Sequence, residues 1–181
     1  MIIKLDTSHS EDIRRILTSN KKHQGVYDFT FANKVADAHI KSLSNANANV
    51  FGYLNDDNKV VAFIATKFWN DKENVTFSTS SVDQNENHPL SDGSRWPHAI
   101  IALVNYGVFY YQKQGVKYLW TIRPNSPNWV PYTNAKECVL RNFNFEAVCT
   151  VPANVNFPLE YQEVCALPLP MEQIIIKYML Q

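Results

Sequence analysis

Three β-rich runs separated by polar turns lead into one long apolar helix, and the helix runs directly into another strand. This order, between Val50 and Ile122, constrains the fold more than any other feature of the chain. Val50–Leu54 turns through Asn55–Asn58 into Lys59–Thr66, which continues to Trp69, and a second turn at Asn70–Lys72 leads to Val75–Val82. Polar clusters between runs rich in β-branched and aromatic residues are hairpin signals, so an antiparallel meander is expected. Pro97 then suits the first position of a helix, where a missing N–H costs nothing, and Gly115 suits its end. The helix from Pro97 to about Gln114 is apolar almost all round, which predicts packing on more than one side. Val116–Ile122 follows at once as a strand.

The flanks complete the order. Ile2–Leu5 reads as a first strand, and Thr7–Ser10 offers helix caps before Ile13, Ile16 and Leu17 at helical spacing. A second helix is expected from about Asn33 to Leu43, after an aromatic loop over Lys21–Phe31. Beyond an irregular, proline-containing stretch from Arg123 to Tyr132, a short helix is expected over Asn134–Asn142, ended by Asn144 in the left-handed conformation. Phe145–Val151 and Tyr161–Leu167 read as closing strands, and Met171–Leu180 suits a helix or a strand equally.

Composition narrows the function classes. A chain of 181 residues with 45% hydrophobic content is long enough for one sizeable core. Its 17 basic and 17 acidic side chains show no electrostatic footprint for nucleic acid, which favours a basic face, and Lys21-Lys22-His23 is the one small basic spot, read first as a solvated helix end. No apolar segment approaches the roughly 20 residues of a membrane span, and the N-terminus carries no signal-like run, so a cytoplasmic location is expected. Cys138, Cys149 and Cys165 have neither a disulfide-framework spacing nor a metal-ligand spacing, and no metal is expected.

The order β-α-α-β-β-β-α-β-α-β-β, with the last short helix closing on Asn144-Phe145, resembles the GCN5-related N-acetyltransferase family. The resemblance implies an α/β (α+β) fold with a mixed central sheet of six to seven strands flanked by about four helices. It implies one domain over residues 1–167, with 168–181 as an extension of the same domain. It also implies acetyl-CoA or another acyl-CoA as co-substrate, and a small-molecule or protein amine as acceptor. Oligomeric state stays open.

In such a protein the acyl-CoA lies where the third meander strand and the strand after the long helix splay apart. The resemblance places pantetheine against the backbone of Ser80, Ser81 and Val82. It places the pyrophosphate on the helix N-terminus, over Arg95, His98 and Ala99. Asp83 stands where a general base sits, His98 could relay a proton, and Tyr132 is the tyrosine nearest to the position of the family's general acid.

Two departures from the family pattern open a second reading. The glycine-rich cradle is replaced: His98 and Ile100 stand where small residues let phosphate touch the backbone, and Pro97 removes a donor. Leu140 stands at the usual tyrosine position. A catalytically inactive binding or interaction module on the same scaffold is therefore the alternative. Three other features have bland readings: Tyr106, Phe109, Tyr110 and Tyr111 as core, Ser78, Ser80 and Ser81 as an exposed strand face, and Trp96 as a loop anchor.

Overall fold

The computed structural model describes residues 1–19, 29–83, 98–125, 143–154 and 157–169. Among the described residues there are seven strands: β1 Ile2–Lys4, β2 Ala48–Leu54, β3 Val60–Phe68, β4 Asn74–Val82, β5 Tyr118–Asn125, β6 Glu146–Asn154 and β7 Phe157–Pro168. Three α-helices are described, α1 Ser10–Ser19, α2 Phe29–Ser42 and α3 His98–Gln112, with a 3-10 turn at Thr7–His9 before α1. The chain divides into two compact units. One comprises Met1–Phe68 with Phe77–Gly107, the other Trp69–Thr76 with Val108–Gln181.

In the first unit hydrogen bonding runs β1-β2-β3-β4, with β4 contributing its Phe77–Val82 portion. The predicted meander is there: β2 and β3 pair antiparallel from Ala48↔Lys67 to Tyr53↔Ala62, and a bulge shifts the register before Leu54↔Val60. Alternation along β2 and β3 divides the side chains between two layers. Val50, Phe63 and Ala65 pack with Ile13, Ile16 and Leu17 of α1 and Ala36 of α2. Phe51 and Ile64, opposite each other in the register, meet α3 instead. There Tyr106 lies edge-on to Phe51 at 5.2 Å. Gly107 lets the helix come close, because a Cβ at that position would stand 3.3 Å from Phe77 Cζ and 3.4 Å from Ile64 Cδ1.

In the second unit the order is β4-β5-β7-β6. β4 and β5 run parallel over Asn74–Thr76 and Tyr118–Trp120. β5 then pairs antiparallel with β7 from Tyr118↔Pro168 to Asn125↔Tyr161, and β7 with β6.

Several expectations shift. α2 begins at Phe29, so Phe29 and Phe31 belong to the helix and not to an aromatic loop. β5 reaches Asn125 through Pro124, which pairs with Gln162; the long antiparallel partner β7 holds this stretch extended despite a proline that can offer only its carbonyl. β6 and β7 likewise run longer than their apolar cores suggest. Not every aromatic of α3 is core. Tyr111 is fully buried, but Tyr106 and Phe109 form an exposed stripe, with Lys113 Nζ 4.3 Å above the Phe109 ring. The expected helix over 134–142 and the tail from Met171 lie outside the described residues.

Candidate functional site

The start of α1 shows how the local sequence sets up the region. Asp6, one residue earlier than the expected caps, accepts the Ser8 N–H at 2.9 Å, while its own N–H donates to His9 Nδ1 at 3.3 Å. Hydrogen bonds to the carboxylate, from the Ser8 hydroxyl first, then the Ser8 N–H and the His9 ring, hold the Asp6 carboxyl below its ordinary range. Asp6 thus caps the 3-10 turn that leads into α1, on which Ile13, Ile16 and Leu17 are buried and Arg15 reaches Val60 O of β3.

The end of β4 is the most buried polar run described. Ser81, Val82 and Asp83 are all buried, at 3%, 7% and 3% exposure. Three consecutive buried residues mean that the chain is covered on both faces. Ser81 is therefore not part of an exposed strand face, and its Oγ has no hydrogen-bond partner among the described residues. Ser80 occupies β4 just before it.

Asp83 closes the strand. Its N–H donates to Val61 O at 2.8 Å, and its carboxylate Oδ2 forms an ion pair with Arg15 Nη1. The carboxylate is 1% exposed and the arginine side chain 29%. Arg15 also donates through Nη2 to Asp12 Oδ1 at 2.8 Å and to Val60 O at 2.6 Å. Removing two charges from water is costly, and only close geometry with further hydrogen bonds compensates. The further hydrogen bonds come from Nη2, to Asp12 Oδ1 and Val60 O.

Among the residues singled out from the sequence, the structure thus joins Ser81, Val82 and Asp83 in one buried run and sets Asp83 against Arg15. His98 and Ala99 open α3, with Ala99 and Ile100 fully buried. Arg95 and Tyr132 lie outside the described residues, as do Trp96 and Leu140. Arg15 was not singled out by sequence. Its one local signal is Asp12 three residues earlier on the same helix. Among the described residues no three His, Cys, Asp or Glu side chains gather as a metal site would need, and no helix is long and apolar enough to cross a membrane.

No family model matches the chain, and no curated protein is significantly similar to it in sequence. Solved structures are similar in fold. The ribosomal-protein-S18-alanine N-acetyltransferase from Escherichia coli superposes with a TM-score of 0.65 at 17% identity, over 96% of this chain and 97% of that one. A protein assigned to the GNAT acetyltransferases from Desulfovibrio desulfuricans gives 0.68 at 13% identity, over 93% and 98%. The PaiA N-acetyltransferase from Thermoplasma acidophilum, solved with coenzyme A, gives 0.62 at 13% identity, over 93% and 98%. The chain has the fold of the GCN5-related N-acetyltransferases, as its order of elements implies.

Proposed function

We propose that this chain is an N-acyltransferase that moves an acetyl or longer acyl group from acyl-CoA to an amine. The observation that carries the reading is likeness in fold, over nearly the whole length of both chains, to structures named as N-acetyltransferases. Fold alone does not fix function. The reading gains support from the buried, hydrogen-bond-ready run at the end of β4, where Ser81 holds an unengaged hydroxyl.

In this reading the backbone of Ser80–Val82 takes the pantetheine arm, and the amide-rich start of α3 at His98 and Ala99 attracts the pyrophosphate. Arg95 adds a positive charge ahead of the helix. The neutral amine attacks the thioester carbonyl, the C–N bond forms, and the C–S bond breaks. The amine's proton passes to a base, and the leaving thiolate takes one up. His98 and Tyr132 are the candidates for these transfers. Asp83, 1% exposed and ion-paired with Arg15, can act as base only through a relay, because a base must come within hydrogen-bond reach of its proton. The acceptor is a small-molecule or protein amine.

One observation favours the second reading, a non-catalytic module: the Asp83 carboxylate is committed to Arg15. Calorimetric titration with acetyl-CoA and a longer acyl-CoA, followed by release of free thiol in the presence of an amine panel, separates the two. Saturable binding with thiol release supports the transferase. Binding without release for any amine supports the module, and no binding at millimolar donor overturns the acyl-CoA reading.

A further inference from the structure

We infer that Arg15 is a positioning residue that fixes the end of β4, acting through Asp83. Its guanidinium closes a small ring of interactions. Arg15 Nη2 donates to Val60 O at 2.6 Å, the next residue's carbonyl, Val61 O, accepts the Asp83 N–H at 2.8 Å, and Asp83 Oδ2 returns to Arg15 Nη1. The residue after β4 is thereby held by its backbone on one side and its side chain on the other. Asp12 takes the same Nη2 at 2.8 Å and keeps the fork from swinging away.

This arrangement suits placement better than stability. A buried ion pair is often no more stabilising than an apolar pair of similar volume, whereas its geometry is directional. An ammonium group, a single compact charge, lacks the fork by which one side chain meets Val60 O and the Asp12 and Asp83 carboxylates together. The two residues immediately before Asp83, Ser81 and Val82, are those whose backbone receives the donor in the reading proposed above, and the functional consequence rests on that reading. Arg15 itself, on α1, then sets donor affinity without being assigned any contact with the donor.

The test is amide hydrogen exchange at Ser81–Asp83 in the full chain, together with acetyl-CoA affinity and melting temperature. Arg15→Met is expected to speed exchange at these amides about tenfold or more while β2 stays protected. That variant also removes the counter-charge of a buried carboxylate, so Arg15→Met/Asp83→Asn separates charge from placement. The double variant is expected to regain most of the melting temperature yet keep the fast exchange and about tenfold weaker acetyl-CoA binding, with Arg15→Lys intermediate. Native exchange at Ser81–Asp83 in the double variant would overturn the inference, as would exchange accelerated equally across β2 and β4. If the native chain binds no acetyl-CoA, the donor reading fails, and the exchange measurement still decides the role of Arg15.

Discussion

The indole rings of Trp69 and Trp120 lie stacked, with centroids 5.3 Å apart and planes 22° from parallel. Both polar edges are held by β4. Trp69 Nε1–H donates to Thr76 Oγ1 and Trp120 Nε1–H to Asn74 Oδ1, each at 2.7 Å. Asn74 and Thr76 stand two apart on the strand and so share a face. Across the register Asn74 opposes Tyr118 and Thr76 opposes Trp120. The stacked pair thus sits over the parallel β4–β5 contact, with Tyr118 as a third, tilted ring 6.0 Å from Trp120. Asn74 is the hinge of the cluster, since its amide also donates to Asp71 Oδ2 at 2.8 Å.

Replacing Asn74 with Ala should therefore destabilise the chain by about 1–2 kcal/mol, the loss of a hydrogen bond to a half-buried donor. In a Trp120→Phe background, which lacks that donor, the same substitution should cost measurably less. Urea denaturation of the two single variants and the double variant gives the coupling. Equal costs in both backgrounds would show that the Asn74–Trp120 bond contributes nothing.

The sequence carried the elements whose signals are local. Polar turns marked the meander, and Gly115 marked the end of α3. The apolar spacing of Ile13, Ile16 and Leu17 marked the buried face of α1. What it hid was set by partners distant in the chain. β5 continues through Pro124 because β7 pairs with it to Asn125. Tyr106 and Phe109 read as core from their helical spacing, yet Tyr106 stays 37% and Phe109 42% exposed. Arg15 resembles any surface arginine until the fold brings Asp83 to it. Ser81 looks like one of a row of exposed hydroxyls, and coverage of both faces at the end of β4 buries it.

Gly52 tests close packing between β2 and Leu5, the residue after β1. A Cβ there would stand 2.6 Å from Leu5 Cδ2, and Leu5, at 2% exposure, has little room to rotate. Gly52→Ala should cost about 1–3 kcal/mol by overpacking. Leu5→Ala alone should cost about 2–5 kcal/mol by leaving a cavity. The double variant should be more stable than the sum of the two predicts, because the new methyl occupies part of that cavity. Additive melting-temperature losses would count against the contact.

Gly115 isolates backbone conformation from packing. Its φ is +76°, and an added Cβ would meet nothing within 4 Å. Gly115→Ala should then lose about 1 kcal/mol through the left-handed conformation alone, and Gly115→Asn less. Asn144, at φ 54°, already shows asparagine in this role. Chemical denaturation in which Ala and Asn at 115 were equally harmful would point to another cause.

His39 makes the stability of the first unit depend on pH. It lies on α2, buried, with its ring edge-on to Phe63 at 5.8 Å. Burial disfavours the imidazolium and lowers its pKa from 6.5 to about 4. The folded chain therefore keeps His39 neutral, while an unfolded chain protonates it at the ordinary value. Between about pH 6.5 and about pH 4 the unfolded state binds more protons, so stability falls as pH falls through that window and is fully present above it. The whole effect is on the order of 3 kcal/mol, at roughly 1.4 kcal/mol for each pKa unit. His39→Leu should remove this share of the slope while leaving the slope from the carboxylates in place. Urea midpoints measured for both proteins across the window read the difference directly. Curves that fall in parallel would show that His39 is not the group responsible, whatever its burial.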